Sequence, residues 1–205
     1  MVDFDLKKRY QIFLNLFMKE IDRMFNEQKE FIKCKEGCSY CCEYGEYPFS
    51  ELEFEYLLDG YKLLDKSAKT KILENISKLN KDLYEFKGDK FMYDCPFLID
   101  KKCSVYNNRG IICRTFGLLT DHDDGRLTMP FCQSKGLNYS QIYDEELGQL
   151  VMEKDGKILA ETEPKAYRIA RENVQKLSIA KNLNIEWGES KTLLDLLNES
   201  NIDKL

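Results

Sequence analysis

The sequence is short of several residue types that common functional sites need. It has 1 histidine, 1 tryptophan and 4 prolines among 205 residues. Because His122 is the only histidine, no Cys-His or Ser-His-Asp catalytic arrangement can form without it. No Gly-x-Gly-x-x-Gly stretch is present, so we predict no Rossmann-type methyl-donor site. These absences exclude several familiar enzyme classes.

The chain also lacks long apolar runs. No stretch of about 18 or more uncharged apolar residues exists to span a bilayer. The N-terminus contains acidic residues and has no apolar core ending in small residues, which is not typical of a secretory signal. We therefore expect a cytoplasmic protein with no membrane association.

Positive charge is not in excess either. The chain has 31 lysines and arginines and 36 acidic residues, for a net charge of -5. Nucleic-acid-binding domains, in contrast, usually carry a basic patch. The lysine-rich stretch 62–90 has no aromatic residues suitably interleaved for base stacking, and we interpret it as a solvated helix face. We expect no nucleic-acid partner. The substrate or protein partner and the oligomeric state are left open.

Cysteine, in contrast, is abundant and clustered. Thiolates bind zinc or iron when several sulfurs converge on one point. Four of the 8 cysteines fall within one short run, with spacings that let them converge from a single turn or short helix, and the rest follow as separate residues. We predict all eight as metal ligands, in one larger cluster or two sites: Cys34, Cys38, Cys41, Cys42, Cys95, Cys103, Cys113 and Cys132.

Two other interpretations of the cysteines are weaker. Free cysteine is often buried in a core, but packing alone does not explain four in one short run. Disulfides are disfavoured because no secretion signal is present and adjacent residues such as Cys41 and Cys42 rarely bridge each other. The spacing does not discriminate between zinc, iron and an iron-sulfur cluster, since all three accept thiolate ligands.

Two arginines flank one of the cysteines. Arg109 and Arg114 lie on either side of Cys113, where their charge can neutralise a thiolate cluster or hold an anionic cofactor. A structural ion pair or a carbonyl clamp is the commoner role for such arginines. We include both as candidate cofactor-binding residues.

The pattern of apolar residues predicts a mainly α protein, a single domain over residues 1–205. The central segment is irregular, rich in cysteine, and contains at most short β-hairpins, one of them with Cys95 and Cys103 on its arms. The metal-ligand core spans about 33–136. Helical periodicity and capping signals predict helices at about 1–30, 50–65 and 67–85, and C-terminal helices within 140–205, at about 140–153, 162–181 and 193–197.

The order of the cysteine blocks resembles the CxxCxxCC (YkgJ-like) family of zinc- or iron-chelating cysteine-cluster proteins. The resemblance covers Lys33 to Gly136 and rests on four blocks: Cys34-x3-Cys38-x2-Cys41-Cys42, Cys95-Pro-Phe-Leu, the run from Cys103 to Phe116, and Cys132. In the third block Gly110 stands where the family usually has proline. Gln133 follows Cys132 in place of the more usual proline and glycine run.

The resemblance implies that the cysteines bind zinc or iron, or an iron-sulfur centre, in a redox or structural role. The family includes relatives described as iron-sulfur oxidoreductases and is similar to part of the flagellin lysine N-methylases, so an enzyme acting at the centre is an alternative. A partner-binding module with purely structural zinc is a third. A polar pocket beside the centre would favour the enzyme, and closed four-thiolate sites would favour the structural role.

Overall fold

Helices dominate the computed structural model, which describes residues 3–35 and 37–205. The helical content is 46%, as expected for the predicted mainly α class. The α-helices of the described residues are α1 (Phe4–Glu27), α2 (Tyr40–Glu43), α3 (Glu51–Lys62), α4 (Lys66–Glu85), α5 (Ile111–Thr115), α6 (Arg171–Gln175), α7 (Ser178–Asn182) and α8 (Leu193–Glu199). No helix in this part of the chain is both long enough and apolar enough to cross a membrane.

The strands are short and pair two by two, always antiparallel. Four pairs are local hairpins: β2 (Leu98–Ile99) with β3 (Lys102–Cys103), β4 (Thr120–Asp121) with β5 (Leu127–Thr128), β6 (Tyr143–Asp144) with β7 (Gln149–Leu150), and β8 (Glu153–Lys154) with β9 (Lys157–Ile158). The fifth pair joins distant parts of the sequence, β1 (Pro48–Ser50) with β10 (Ser190–Thr192).

The chain forms two compact units, each assembled from separate stretches. The first unit comprises the described parts of Met1–Gln11, Gly37–Arg114 and Asn182–Leu205, and the second those of Ile12–Glu36 and Thr115–Lys181. Because neither unit is a continuous segment, this division does not decide the single-domain expectation, which stays a prediction.

The first unit is built around α3, α4 and α8. Ser50 caps α3 and forms the predicted capping box with Glu53. Asp65 caps α4 by accepting the backbone N–H of Ala68 at 2.8 Å. Apolar residues on the helices and on the central segment form one buried cluster, among them Phe49, Phe54, Leu57, Tyr61, Ile72, Ile76, Phe97, Leu193 and Leu197. Leu83 on α4 has the helical spacing of the buried residues Ile72, Ile76 and Leu79, but it is 40% exposed because the last turn of the helix extends beyond this core.

Glu53 makes a connection that the capping pattern does not predict. Its side chain is fully buried. One carboxylate oxygen accepts the backbone N–H and the hydroxyl of Ser50, at 3.0 and 2.8 Å, and the other accepts the backbone N–H of Ile111 at 2.8 Å. A buried charge of this kind is tolerated only when hydrogen-bonded. Glu53 therefore fixes the first residue of α5 to the start of α3.

The second unit contains most of α1 and a cluster beneath the hairpins. Phe13, Phe17 and Ile21 are buried on α1 at the predicted spacing, with the rings of Phe13 and Phe17 stacked. Phe31 stacks on Tyr139, which packs with Leu119, Ile142 and Ala160.

Two predicted C-terminal helices are wrong. Residues 140–153 form a turn and the β6–β7 hairpin, because the carboxylate of Asp144 accepts the backbone N–H groups of Glu146 and Leu147 at 2.9 and 3.0 Å. This Asx turn supplies an alternative to helical hydrogen bonds. The segment 162–181 begins extended, with Tyr167 bridging to the strand at Thr120, so helix starts only at α6 and is interrupted before α7. The last predicted helix is confirmed as α8.

Replacing Glu53 with glutamine should destabilise the first unit. All three partners of the Glu53 carboxylate donate hydrogen bonds to its oxygens, whereas a glutamine side chain has one oxygen and one NH₂ group. The NH₂ group would face a donor, so at least one buried group would lose its hydrogen bond, at a cost of about 1–3 kcal/mol. Urea unfolding followed by circular dichroism measures the loss. The control is Glu51→Gln, on the exposed face of the same first turn, with an expected change within about 0.5 kcal/mol. Equal stability of the two variants would contradict the role of Glu53.

Candidate metal centre

The first cysteine segment of the first unit is the single turn α2, which carries Cys41 and Cys42. The carbonyl of Ser39 accepts the backbone N–H groups of Cys42 and Glu43 at 2.7 and 3.0 Å and so starts the turn. The phenol of Tyr47 donates to the carbonyl of Cys41 at 2.9 Å. Both ends of the cysteine pair are thus held by hydrogen bonds from the protein.

A hairpin brings the second cysteine segment to the first. The backbone N–H of Cys95 donates to the carbonyl of Cys42 at 2.7 Å. Cys103 lies opposite Leu98 in the β2–β3 pair, which turns through Asp100 and Lys101, both with positive φ. The ammonium of Lys101 binds the carboxylate of Glu43 at 2.6 Å and ties the turn to α2. A hairpin forms where one was predicted, but only Cys103 lies on an arm, since Cys95 precedes the first strand.

The third segment is α5, which carries Cys113. Its first residue is held by Glu53, as described above. Gly110 precedes it, and a Cβ at this position would lie 2.5 Å from the buried ring of Phe49. This close approach gives a physical reason for glycine where the family usually has proline. Two contacts just before Cys113 therefore fix its position: the packing of Gly110 against Phe49 and the hydrogen bond of Ile111 to Glu53.

Five of the sulfurs in this unit affect one another electrostatically. The hydrogen bond from Cys42 lowers the pKa of Cys41 to about 7, and the same bond raises that of Cys42. Burial, reinforced by nearby Cys103 and Cys41, raises the pKa of Cys95 to about 12. Burial also raises the pKa of Cys113 well above its usual value, reinforced by Cys95, Cys103 and Cys41. The mutual effects show that sulfurs from three separate segments lie close together.

Backbone amides and two arginines oppose this effect. Burial raises the pKa of Cys103, while hydrogen bonding from the Val105 backbone and the charges of Arg109 and Arg114 pull it down. The Phe97 backbone does the same for Cys95. Amides aimed at sulfur, together with a nearby cation, favour thiolates over thiols.

The two predicted arginines have different surroundings. The guanidinium of Arg109 lies over the ring of Tyr106, 3.8 Å from its centroid, and its charge lowers the pKa of Cys41 after the larger effect of Cys42. Arg114 donates to the carbonyls of Arg109 and Asn107 at 3.0 and 2.7 Å. Arg114 thus acts as a carbonyl clamp that holds the turn at Arg109. The charge of Arg109 lowers the pKa of several of the thiols. Whether either binds a cofactor stays a prediction.

The remaining cysteines are placed differently. Cys38 belongs to the first unit and is exposed. Cys34 and Cys132 belong to the second, where both raise the pKa of Tyr139 after the larger effect of burial. All eight cysteines are free thiols. The structure brings six predicted ligands into one unit and two into the other.

The donor set fits a thiophilic metal, although the sulfurs are not spaced for one. Within residues 3–35 and 37–205, no group of three or more His, Cys, Asp or Glu side chains has an arrangement that can hold a metal ion. The chemistry of the donors, five clustered sulfurs with amides and an arginine directed at them, suits zinc or iron. Cys41, Cys42, Cys95, Cys103 and Cys113 are the residues that would hold it.

Fold and site together describe a mainly helical protein in which cysteine thiols from three segments lie close together. Residues 33–133 match the family model named CxxCxxCC and described as a "putative zinc- or iron-chelating domain", which confirms the family resemblance of the cysteine blocks. Comparison with curated proteins and with solved structures found no match.

Zinc binding should depend on pH, because raised thiol pKa values mean that protons must leave before sulfur can bind metal. At neutral pH the thiols of Cys95 and Cys113 carry protons and Cys41 is near its midpoint. Affinity should therefore rise with pH, by about tenfold per pH unit for each proton released. Calorimetric titration of metal-free protein with zinc in two buffers of different ionisation enthalpy measures the release. Identical heats in both buffers would contradict it.

Proposed function

We propose that this protein binds zinc or iron, as single ions or as an iron-sulfur centre, through its cysteine thiolates. Cys41, Cys42, Cys95, Cys103 and Cys113 form the core of the centre. The observation that carries the proposal is the mutual electrostatic effect among sulfurs from three segments that are far apart in sequence. The match to a chelating family over residues 33–133 supports it independently.

The arrangement of the segments also supports a metal centre. Each sulfur-bearing segment is fixed by a hydrogen bond to another part of the first unit: Cys95 to Cys42, Lys101 to Glu43 and Ile111 to Glu53. Free thiols gain little from such convergence, since burial raises the cost of ionising each one. Neighbouring thiolates repel one another, and a cation bound between them would attract them all. The centre then cross-links α2, the hairpin and α5.

The role of the centre follows from its metal. Zinc has no redox chemistry and acts here as a staple, whereas an iron-sulfur cluster supplies an electron-transfer site. We place the protein in the cytoplasm, where thiols stay reduced and available to metals.

Removal of one core sulfur should lower metal content and stability together. Cys113→Ser loses a thiolate from the centre of the cluster, and because metal binding contributes to folding, its melting temperature should also fall. Elemental analysis of anaerobically purified protein and thermal unfolding measure the two effects. Addition of a chelator to the wild type should lower its melting temperature toward that of the variant.

Ile112→Val is the matched control, since it changes a half-buried apolar neighbour on the same helix without touching a sulfur. It should keep full metal content. If Cys113→Ser keeps the wild-type metal content and melting temperature, Cys113 is not a ligand and the proposed core is wrong.

An enzyme acting at the centre is the second candidate, and one observation favours it. A cavity of about 320 Å³ opens beside Cys95, and its lining mixes charged and apolar side chains, among them Glu43, Lys78, Asp82, Phe91 and Met92. Small-molecule sites are commonly clefts of about this size in which a few polar groups orient the ligand. A cavity with a predicted metal ligand in its wall gives a small molecule a route to the centre.

Azide binding to cobalt-loaded protein tests this candidate. If the cavity leads to an open coordination position, azide should shift the visible absorption of the cobalt(II) protein. Met92→Trp, which fills the cavity, should block the shift, while Leu127→Trp on an exposed strand should not. A spectrum unchanged by azide in the wild type would contradict an open position and favour a closed, structural centre.

A further inference from the structure

Asn138 is a fully buried amide with a sulfur among its partners. Its exposed fraction is 0%. The side-chain oxygen accepts the backbone N–H of Lys33 at 2.8 Å, and the nitrogen donates to the carbonyl of Gly117 at 2.9 Å and to the sulfur of Cys34 at 3.1 Å. All these residues belong to the second unit.

The orientation of this amide is fixed by its partners. Lys33 presents a donor and Gly117 an acceptor, so exchanging the oxygen and nitrogen of Asn138 would lose both backbone hydrogen bonds. The second N–H of the amide is therefore directed at Cys34. A donor at this position favours a negatively charged sulfur.

Gly117 makes the close approach possible. It has a φ of +107°, and a Cβ there would lie 2.7 Å from the nitrogen of Asn138 and 3.1 Å from the sulfur of Cys34. Any other residue would push the amide and the sulfur apart. Gly117 and Asn138, which are far from Cys34 in the sequence, thus lie against its sulfur atom. Cys34 as a whole residue is nevertheless exposed.

We infer that Asn138 is a positioning residue that holds the Cys34 sulfur for metal binding through its N–H···S hydrogen bond. This inference rests on the proposed function, metal binding by cysteine thiolates, and extends it to Cys34, a predicted ligand that is not among the five core cysteines. Residue 138 lies outside the segment 33–133 matched by the family model and carries no metal-binding group itself. Groups that hydrogen-bond to a metal ligand fix its orientation, and their loss typically costs 10–100-fold in metal affinity, so we expect about that loss here.

Because Asn138 also binds two backbone groups, the test must separate positioning from general support of the fold. A double-mutant cycle with Asn138→Asp, Cys34→Ser and the double variant does so. Asn138→Asp keeps the shape and the acceptor for Lys33 but removes the donor to sulfur. Zinc affinity is measured by competition with a chromophoric chelator, and the sulfur-to-cobalt charge-transfer absorption reports on thiolate ligation.

We expect Asn138→Asp to lower zinc affinity by about 10–100-fold when Cys34 is present, and by less than about threefold when Cys34 is replaced by serine. The charge-transfer absorption should fall in the same pattern. An equal loss of affinity in both backgrounds would assign Asn138 a purely structural role, and so overturn the inference. Unchanged affinity in Cys34→Ser would also overturn it.

A second variant guards against misfolding. Asn138→Ala removes the amide donor without placing a charge in a buried site, and should give the same pattern if the aspartate variant fails to fold. Urea unfolding of each metal-free variant shows which remain folded. Wild-type protein that binds neither zinc nor cobalt would reject the proposed function itself, whereas a metal-binding wild type with an uncoupled Asn138 would reject only this inference.

Discussion

A buried carboxylate, Glu53, is the constraint on which the cysteine-bearing half of the first unit depends. It accepts two hydrogen bonds from Ser50 at the start of α3 and one from Ile111 at the start of α5. Burial of this charge requires all three donors to stay in place. As a result α5, which would be too short to hold itself in solution, begins at a defined point and carries Cys113 to a defined position.

The other cysteines are also held by local hydrogen bonds and ion pairs, such as those of Cys95 with Cys42 and of Lys101 with Glu43. Bringing their sulfurs together makes each thiol harder to ionise. Each buried thiol raises the pKa of its neighbours, as the values for Cys95 and Cys113 show after the larger effect of burial. Arg109 offsets part of this cost, and Arg114 holds the carbonyl of Arg109. In the centre proposed above, a metal ion would take the place of the protons on the thiols of Cys95 and Cys113. Stability, pH and metal occupancy would then be linked through the same few atoms.

The sequence predicts those parts of the structure that local rules govern. The periodicity of α1 and α4, the capping box of α3 and the hairpin around Asp100 are all visible in short windows. The helices predicted at 140–153 and 162–181 are wrong because Asp144 closes a turn with its own side chain and Tyr167 pairs with a distant strand. Apolar periodicity does not register either contact.

In the candidate site, too, the sequence predicts the local features but not the long-range contacts. Cysteine spacing identifies the candidate ligands, but it does not indicate that six belong to one compact unit and two to another. Glu53 is visible in the sequence only as a capping residue, and its reach to Ile111 is a tertiary contact. Asn138 gives no sequence signal, since a single asparagine after a turn glycine is unremarkable until its amide is found against Cys34. Long-range side-chain contacts of this kind cannot be read from periodicity or motif spacing.

X-ray absorption at the metal edge, on protein purified without oxygen, tests the central claim most directly. The claim that cysteine thiolates alone form the centre predicts a zinc or iron edge and a first shell made only of sulfur, at about 2.3 Å for zinc. An iron-sulfur centre would add a metal-metal distance to that sulfur shell. A first shell dominated by nitrogen or oxygen, or protein without zinc or iron, would contradict the account.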